Sequence, residues 1–324
     1  MGSLDPNEVR IFSGSSNRKL ASEIAAHLGV PLDETRISRF SNDNLYIQLG
    51  ASVRSRGVYI IQSLSPPVND HLMELLMMLD IARGAAAKEV HAIIPYFSFA
   101  RSDKKDAPRI SITARLIADL LQTAGATHVM TMMLHSPQVH GFFGIPTDPL
   151  TARLAFEDYF KPRDLSGAIV VAPDAGHMKS AARFAEGLGL PVAAGNKERI
   201  SDTKVRISGF VGRQVRGCRR ALIYDDEIAT GSSVIEMCDM LVENGVEEIW
   251  AVCTHGVFTG IALQKLTAVP QITEIVTTDT VYTPPDKRPP QLKIVPVAQI
   301  FGEAIRRNYL HESISDLFVF GQDK

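Results

Sequence analysis

A chain of 324 residues exceeds one typical domain, so two α/β domains are the natural expectation. Its 34 basic and 36 acidic residues leave a net charge of −2, and 45% of the residues are apolar. Nothing in that balance demands a nucleic-acid or membrane surface, and no apolar run is long enough to span a bilayer. Cys218, Cys238 and Cys253 are widely separated and lack metal-site spacing, and the first residues lack the basic-then-apolar pattern of a secretory signal. A cytoplasmic protein with reduced thiols is therefore expected.

Residues 9–12 read as a strand, 13–17 as a loop, and 18–28 as a helix ended by Gly29-Val30-Pro31. A Gly-Ser loop opening a helix is a weak phosphate signal, shared by ordinary βα turns. Residues 39–48 combine Asn-Asp turn chemistry with alternating strand residues, the pattern of a hairpin. A buried strand over 57–63 follows. Asn69-Asp70 is expected to cap a helix through Ala82, with Leu72, Leu75, Leu76 and Leu79 at helical spacing. The next strand covers 90–95. Beyond it, Arg101, Lys104 and Lys105 stand where polyphosphate charge can be met, although a solvated charged loop has the same composition. An amphipathic helix over 111–121 precedes a strand over 129–134 that ends at His135, which taken alone reads more readily as structural than as a ligand.

Residues 144–150 contain two prolines and read as the connection between a domain of 1–148 and one of 149–324. A short helix through Tyr159 leads to a strand over 168–174, and a helix runs from Met178 to Leu188. Asp174, at the strand end, suits a ligand or a helix cap. After the next strand, Lys197-Glu198-Arg199 and the polar run 200–206 read as a mobile loop, in which Lys-x-Arg is on composition simply exposed charge. The most informative stretch is 221–233: an apolar run ends in Asp225-Asp226, a small-residue turn follows, and helical spacing begins at Val234. Open α/β sheets bind ligands at such strand carboxyl ends. Gly231 with Thr230, Ser232 and Ser233 turns backbone N–H groups toward an anion at a helix N-terminus, and the two acids can accept hydrogen bonds from a diol. Together they describe a sugar-phosphate site; the plainer alternative is a βα turn capped by Ser232 or Ser233. Further strands over 248–258 and 274–280 precede a helix through Arg307.

The stretch 221–233 resembles the ribose-phosphate fingerprint of phosphoribosyltransferase-type proteins. Its surroundings narrow the resemblance to the ribose-phosphate pyrophosphokinase family. Pro95-Tyr96-Phe97-Ser98-Phe99-Ala100-Arg101-Ser102-Asp103-Lys104-Lys105 is similar to that family's Pro-Tyr-Phe-x-Tyr-Ala-Arg-Gln-Asp-Lys-Lys. Residues 133–143 resemble Asp-Leu-His-x-x-Gln-x-x-Gly-Phe-Phe, and 254–258 resemble Thr-His-Gly-x-Phe. The likeness covers nearly the whole chain.

The resemblance implies an α/β fold of two tandem phosphoribosyltransferase-like domains, each a mostly parallel sheet flanked by helices, with the last helix able to return to the first domain. It implies transfer of the diphosphoryl group of ATP to the anomeric hydroxyl of ribose 5-phosphate, giving phosphoribosyl pyrophosphate and AMP. By the same resemblance Phe40, Asn42, Asn44, Arg101, Ser102, Asp103 and His135 bind ATP, the first three across a subunit boundary. His135 and Asp174 would be the ligands of Mg²⁺, and Lys197 and Arg199 the catalytic residues of a closing loop. Asp225, Asp226, Ala229, Thr230, Gly231, Ser232 and Ser233 would hold ribose 5-phosphate. A homo-oligomer, commonly a hexamer built from dimers, is also implied. The chain departs from the family at Asp43 and Asn44 (commonly Gly and Glu), Ser102 (Gln), Met133 (Asp) and Ala229 (Asp). Those departures keep a non-catalytic regulatory subunit, or a phosphoribosyltransferase, as alternatives; the presence of Lys197, Arg199, His135 and Asp174 favours the enzyme.

Overall fold

The computed structural model describes residues 4–199, 205–212 and 215–318, with the backbone alone for 197–199 and 205–208. In chain order the first elements are β1 (Val9–Ser13), α1 (Arg18–Leu28), β2 (Leu32–Asp33), β3 (Thr35–Arg39), β4 (Leu45–Leu49), β5 (Gly57–Ile61), α2 (Val68–Gly84), β6 (Glu89–Ile94), α3 (Thr113–Ala124), β7 (His128–Met132) and β8 (Thr147–Leu150). Then come α4 (Arg153–Phe160), β9 (Ala168–Ala172), α5 (Met178–Leu188), β10 (Val192–Arg199), β11 (Val205–Gly212), β12 (Arg220–Ile228) and α6 (Ser232–Glu243). The last are β13 (Glu248–Gly256), α7 (Ala262–Thr267), β14 (Ile272–Thr278), β15 (Leu292–Val295) and α8 (Ala298–Tyr309). The described residues divide into two compact units, one drawn from 1–151, 280–282 and 297–324, the other from 152–279 and 283–296.

The sheet of the first unit is parallel throughout, in the order β2-β1-β5-β6-β7-β8. A parallel sheet is covered on both faces, which is why β5 and β6 are near-continuous apolar runs with no polar alternation. Helix α2 buries His71, Glu74, Leu75, Met78, Leu79 and Ala82, a stripe at three- and four-residue spacing. Each fully buried leucine in it contributes roughly 1.5–3 kcal/mol. The expected Asn69-Asp70 cap does not form: Pro67 is the cap position, and no side chain bonds there. Proline can open a helix because the first N–H groups have no intrahelical partner anyway.

The prolines of 144–150 also behave otherwise than expected. Residues 147–150 form β8, paired parallel to β7 with Pro149 opposite Thr131. Proline is tolerated there because β8 is an edge strand and its outer side needs no donor. The hairpin β3–β4 stands apart as a two-stranded sheet. Its Arg39 pairs with Asp43 at 3.0 Å and with Asp70 of α2 at 3.1 Å.

Helix α8 belongs to the first unit and lies on α1. Gly302 permits that approach, since a Cβ there would come within 2.4 Å of His27. Tyr59 donates to Asn308 at 2.8 Å and Tyr309 donates to Glu8 at 2.6 Å. Glu303 accepts from Arg306 at 2.8 Å and from Arg307 at 2.6 Å.

In the second unit the order is β11-β10-β9-β12-β13-β14-β15, parallel except for β11. Without β11 this is the path of the first unit again, with β9 in the place of β1 and β12 in the place of β5. The centre of the sheet is fixed by rings. Tyr224 stacks on Phe184 at 4.4 Å and meets Phe156 edge-on, while Phe160 stacks on Trp250 at 5.3 Å.

The Glu303 cluster yields a signed pH dependence. Arg306, and then Arg307, hold the Glu303 carboxyl down to about 2, from an ordinary 4.5. A depressed folded-state value stabilises fully above pH 4.5 and loses its effect as pH falls toward 2. Replacing it by Glu303→Gln should cost about 1 kcal/mol in denaturant unfolding at pH 7. The difference from the parent should shrink at pH 3.5; a gap that stays constant from pH 7 to 3.5 contradicts the assignment.

Candidate active site

Strand β12 carries the apolar run of residues 221–224 through the sheet and continues to Ile228, so Asp225 and Asp226 lie within the strand and not at its end. The ladder to β13 explains the extension, since Glu227 pairs with His255 and Ile228 with Gly256. Asp226 is 2% exposed. Asp225 Oδ1 accepts the Asp226 backbone N–H at 2.8 Å. Burial, and then the neighbouring Asp226 carboxylate, push the Asp225 carboxyl well above the usual carboxylate range.

On the adjacent strand, β9 ends and the chain turns at Asp174. The plainer expectation for this residue holds locally: it caps the short turn Ala175–His177, accepting the His177 N–H at 3.2 Å. The same carboxylate oxygen lies 3.0 Å from His177 Nδ1. The other ring nitrogen, Nε2, is 3.3 Å from Asp226 Oδ1 and 3.7 Å from Asp225 Oδ1. Bonding to Asp174, and then to Asp226, raises the His177 imidazole to about 10 against the opposing effect of burial. At neutral pH the ring is thus a cation among three acids. His177 was not anticipated from the sequence. The available signal was its place three residues after an Asp at a helix start, where a capping carboxylate can also reach a side chain.

After β12 the chain turns into α6. Gly231 is the cap position, with φ of 77°, and a Cβ there would press on Leu266 at 3.2 Å. Neither Ser232 nor Ser233 acts as the cap; both fall inside the helix. Among the described residues the N–H groups of Gly231 and Ser233 meet no internal acceptor, and Ser232 N–H reaches only Thr230 Oγ1, at 3.5 Å. Opposite them the loop is held firmly, because Ala229 O accepts from Thr259 N–H at 2.9 Å and Ile228 O from Phe258 N–H at 3.0 Å. An immobilised turn with unused N–H groups at a helix start is an anion site awaiting its anion. Thr230, Ser232 and Ser233 are exposed.

Lys197 and Arg199 were expected in a mobile loop. Their backbones instead continue β10, opposite Ile207 and Val205 of β11. Their side chains, and the run 200–204, lie outside the described residues. A two-stranded arm thus replaces the loop at its start, and the register shift between Asn196 and Lys197 is the irregularity that the polar sequence reflects.

In the first unit the expected nucleotide residues fall at carboxyl ends of neighbouring strands. Arg101 closes a 3₁₀ turn beyond β6, and Asp103 follows it half-buried. The Ser102 hydroxyl receives the Thr113 N–H at 3.3 Å at the start of α3. His135 follows β7 and is half-buried. Phe40, Asn42 and Asn44 form the tip of the β3–β4 hairpin. There Asn44 N–H donates to Asn42 Oδ1 at 3.3 Å, and Phe40, 57% exposed, meets Tyr46 edge-on.

Comparison with known proteins gives the following. The family model described as the N-terminal domain of ribose phosphate pyrophosphokinase matches residues 9–125, and the phosphoribosyl synthetase-associated domain matches 205–319. A protein of Streptomyces coelicolor is 50% identical over 311 residues, covering 96% of this chain and 98% of its own. The ribose-phosphate pyrophosphokinase of Deinococcus radiodurans is 44% identical, covering 95% of this chain and 97% of that protein. Among solved structures, phosphoribosylpyrophosphate synthetase from Mycobacterium smegmatis has a TM-score of 0.87 and 33% identity, covering 94% of this chain and 99% of that one.

The left-handed backbone and close packing at Gly231 make a stability prediction. Gly231→Ala should destabilise the protein by about 1–2 kcal/mol through backbone strain. Anion affinity at the turn should fall with it. Thermal unfolding with and without inorganic phosphate reads both; a variant as stable as the parent contradicts the strained turn.

Proposed function

The chain belongs to the ribose-phosphate pyrophosphokinase family, and we propose that its residues divide the family's reaction between the two units as follows. The reaction moves the diphosphoryl group of ATP to the anomeric hydroxyl of ribose 5-phosphate and yields phosphoribosyl pyrophosphate and AMP. The observation that carries the assignment of the sugar ester is in β12: two buried acids followed directly by a turn with unused N–H groups.

The 5-phosphate sits at the turn 229–233, taking hydrogen bonds from the Gly231, Ser232 and Ser233 N–H groups and from the Thr230 hydroxyl. Ala229 offers backbone only. Asp225 and Asp226 accept the hydroxyls of the ribose and so fix the direction of the attacking oxygen. Holding both reactants in place can remove roughly 7–11 kcal/mol from a bimolecular barrier in favourable cases. Lys197 and Arg199, on the arm formed by β10 and β11, offset charge spread over the transferred group and the departing AMP.

On the nucleotide side, Arg101, Ser102, Asp103 and His135 bind ATP. The exposed hairpin tip of Phe40, Asn42 and Asn44 serves the adenine of a neighbouring subunit, so the working form is a homo-oligomer. His135 and Asp174 would hold Mg²⁺, and the donor set fits: Mg²⁺ binds through few protein groups together with substrate phosphates. When bound, it would neutralise phosphate charge. No helix among the described residues is long and apolar enough to cross a membrane.

With ATP, Mg²⁺ and ribose 5-phosphate, AMP should form, and only when the sugar ester is present. Asp225→Asn should lower kcat/KM for ribose 5-phosphate by about 10- to 100-fold, the value of a charge-assisted hydrogen bond, while KM for ATP holds. AMP released equally without sugar, or from no triphosphate at all, refutes the reading.

A further inference from the structure

Taking that reading of β12 as its basis, we propose that His177 is a positioning residue for the sugar ester: one imidazole ties the β9–α5 turn to the acid pair of β12. The ring lies 3.0 Å from Asp174 through Nδ1, and 3.3 Å and 3.7 Å from Asp226 and Asp225 through Nε2. Its side chain is 21% exposed, so the ring closes the pocket while keeping an edge toward it. Its backbone is fixed as well, because the His177 N–H is bound by Asp174 and Met178 begins α5. The ring cannot leave without releasing the turn.

Two consequences follow from charge alone. The three carboxylates at 174, 225 and 226 repel one another, and a donor bridging them holds their oxygens at one spacing. The proposed ligand is itself a dianion, so a pocket of three unbridged acids would repel it. The first unit supplies an internal contrast. Counting from the first ladder pairs, Val9 with Gly57 and Ala168 with Arg220, the places of Asp174, Asp225 and Asp226 are held by Ser15, Gln62 and Ser63. Where the acids are missing, the arrangement that needs a bridging imidazole is missing too.

Calorimetric titration of the full chain with ribose 5-phosphate alone, without nucleotide or metal, tests this. His177→Ala should bind the sugar ester about 10-fold more weakly, and His177→Gln, whose amide can reach one acid but not both, should fall between the two. Affinity for ATP, titrated separately, should stay within about 2-fold, and KM for ribose 5-phosphate should rise while KM for ATP does not. Should the alanine variant prove unfolded by its melting profile, the glutamine variant carries the same comparison. Parent-like sugar affinity in a folded variant overturns the proposal, as does an equal loss for both ligands, which would mark a purely structural ring. If the parent itself takes up no ribose 5-phosphate, the site assignment fails and this proposal with it.

Discussion

The second unit is built around a difficulty: two neighbouring acids buried at the centre of a parallel sheet. Removing a charge from water costs several kcal/mol even after relaxation, and two adjacent like charges add to it. The structure offsets that cost locally. Asp225 takes a backbone N–H, His177 stands across both acids, and the upward shift at Asp225 shows that the remaining penalty is met in part by holding a proton. Such an arrangement is poor for stability and suited to a ligand that brings its own hydroxyl donors. Nothing else in β12 needs the acids, because Tyr224 and the ring cluster below it already anchor the strand.

The comparison within the chain makes the same point from the other side. Both units run the same strand path, yet the first fills the corresponding pocket with groups that satisfy one another. Glu74, reaching in from α2, takes the Ser15 N–H at 3.0 Å and a Gln62 amide hydrogen at 2.7 Å, and the Ser16 hydroxyl donates to Gln62 at 2.7 Å. Gly14 leaves no space beside Gln62, since a Cβ would come within 2.3 Å of its side chain. This explains why the Gly-Ser loop at 13–17 is a weak phosphate signal: its donors are already used by an internal carboxylate. The second loop, at 229–233, has no such occupant. One backbone design thus supports a closed polar plug in one unit and an open anion cradle in the other, and the difference lies in which side chain comes from the following helix.

What the sequence revealed, and what it hid, follows the range of the forces involved. Alternating apolar runs and helical stripes identified the strands and helices of both units, because burial of those residues is local in pattern. The Thr-Gly-Ser-Ser turn was legible for the same reason: a left-handed residue and a helix start are short-range features. The continuation of β12 past its acids was not, because charged residues ordinarily end a strand and only the equally long β13 keeps it paired. Pro149 in β8 is tolerated only at a sheet edge, a fact of topology that no local pattern reports. The strand pairing of Lys197 with Ile207 depends on β11 folding back, which the polar composition concealed. His177 was missed because its meaning comes from Asp225 and Asp226, nearly fifty residues downstream yet one strand away.

The departures from the family pattern read differently once their neighbours are known. Ser102 cannot replace an amide, but its hydroxyl is bound to the start of α3, so the turn that carries Arg101 is fixed without one. Met133 is buried at a φ of 43°, and the bond from its N–H to Leu150 O at 3.0 Å ties the end of β7 to the edge strand, which holds the segment leading to His135. Asp43 adopts a φ of 69°, where glycine would be easiest, and an ion pair to Arg39 offsets part of that strain. Ala229 lacks a carboxylate, yet its carbonyl fastens the anion turn to Thr259. In each case the substituted position contributes to the shape of a loop through its backbone or a short hydroxyl, and the groups that face the ligands are elsewhere. Substitutions of that kind alter the framing of a site more than its chemistry, which is why four of them are compatible with the catalytic reading instead of arguing against it.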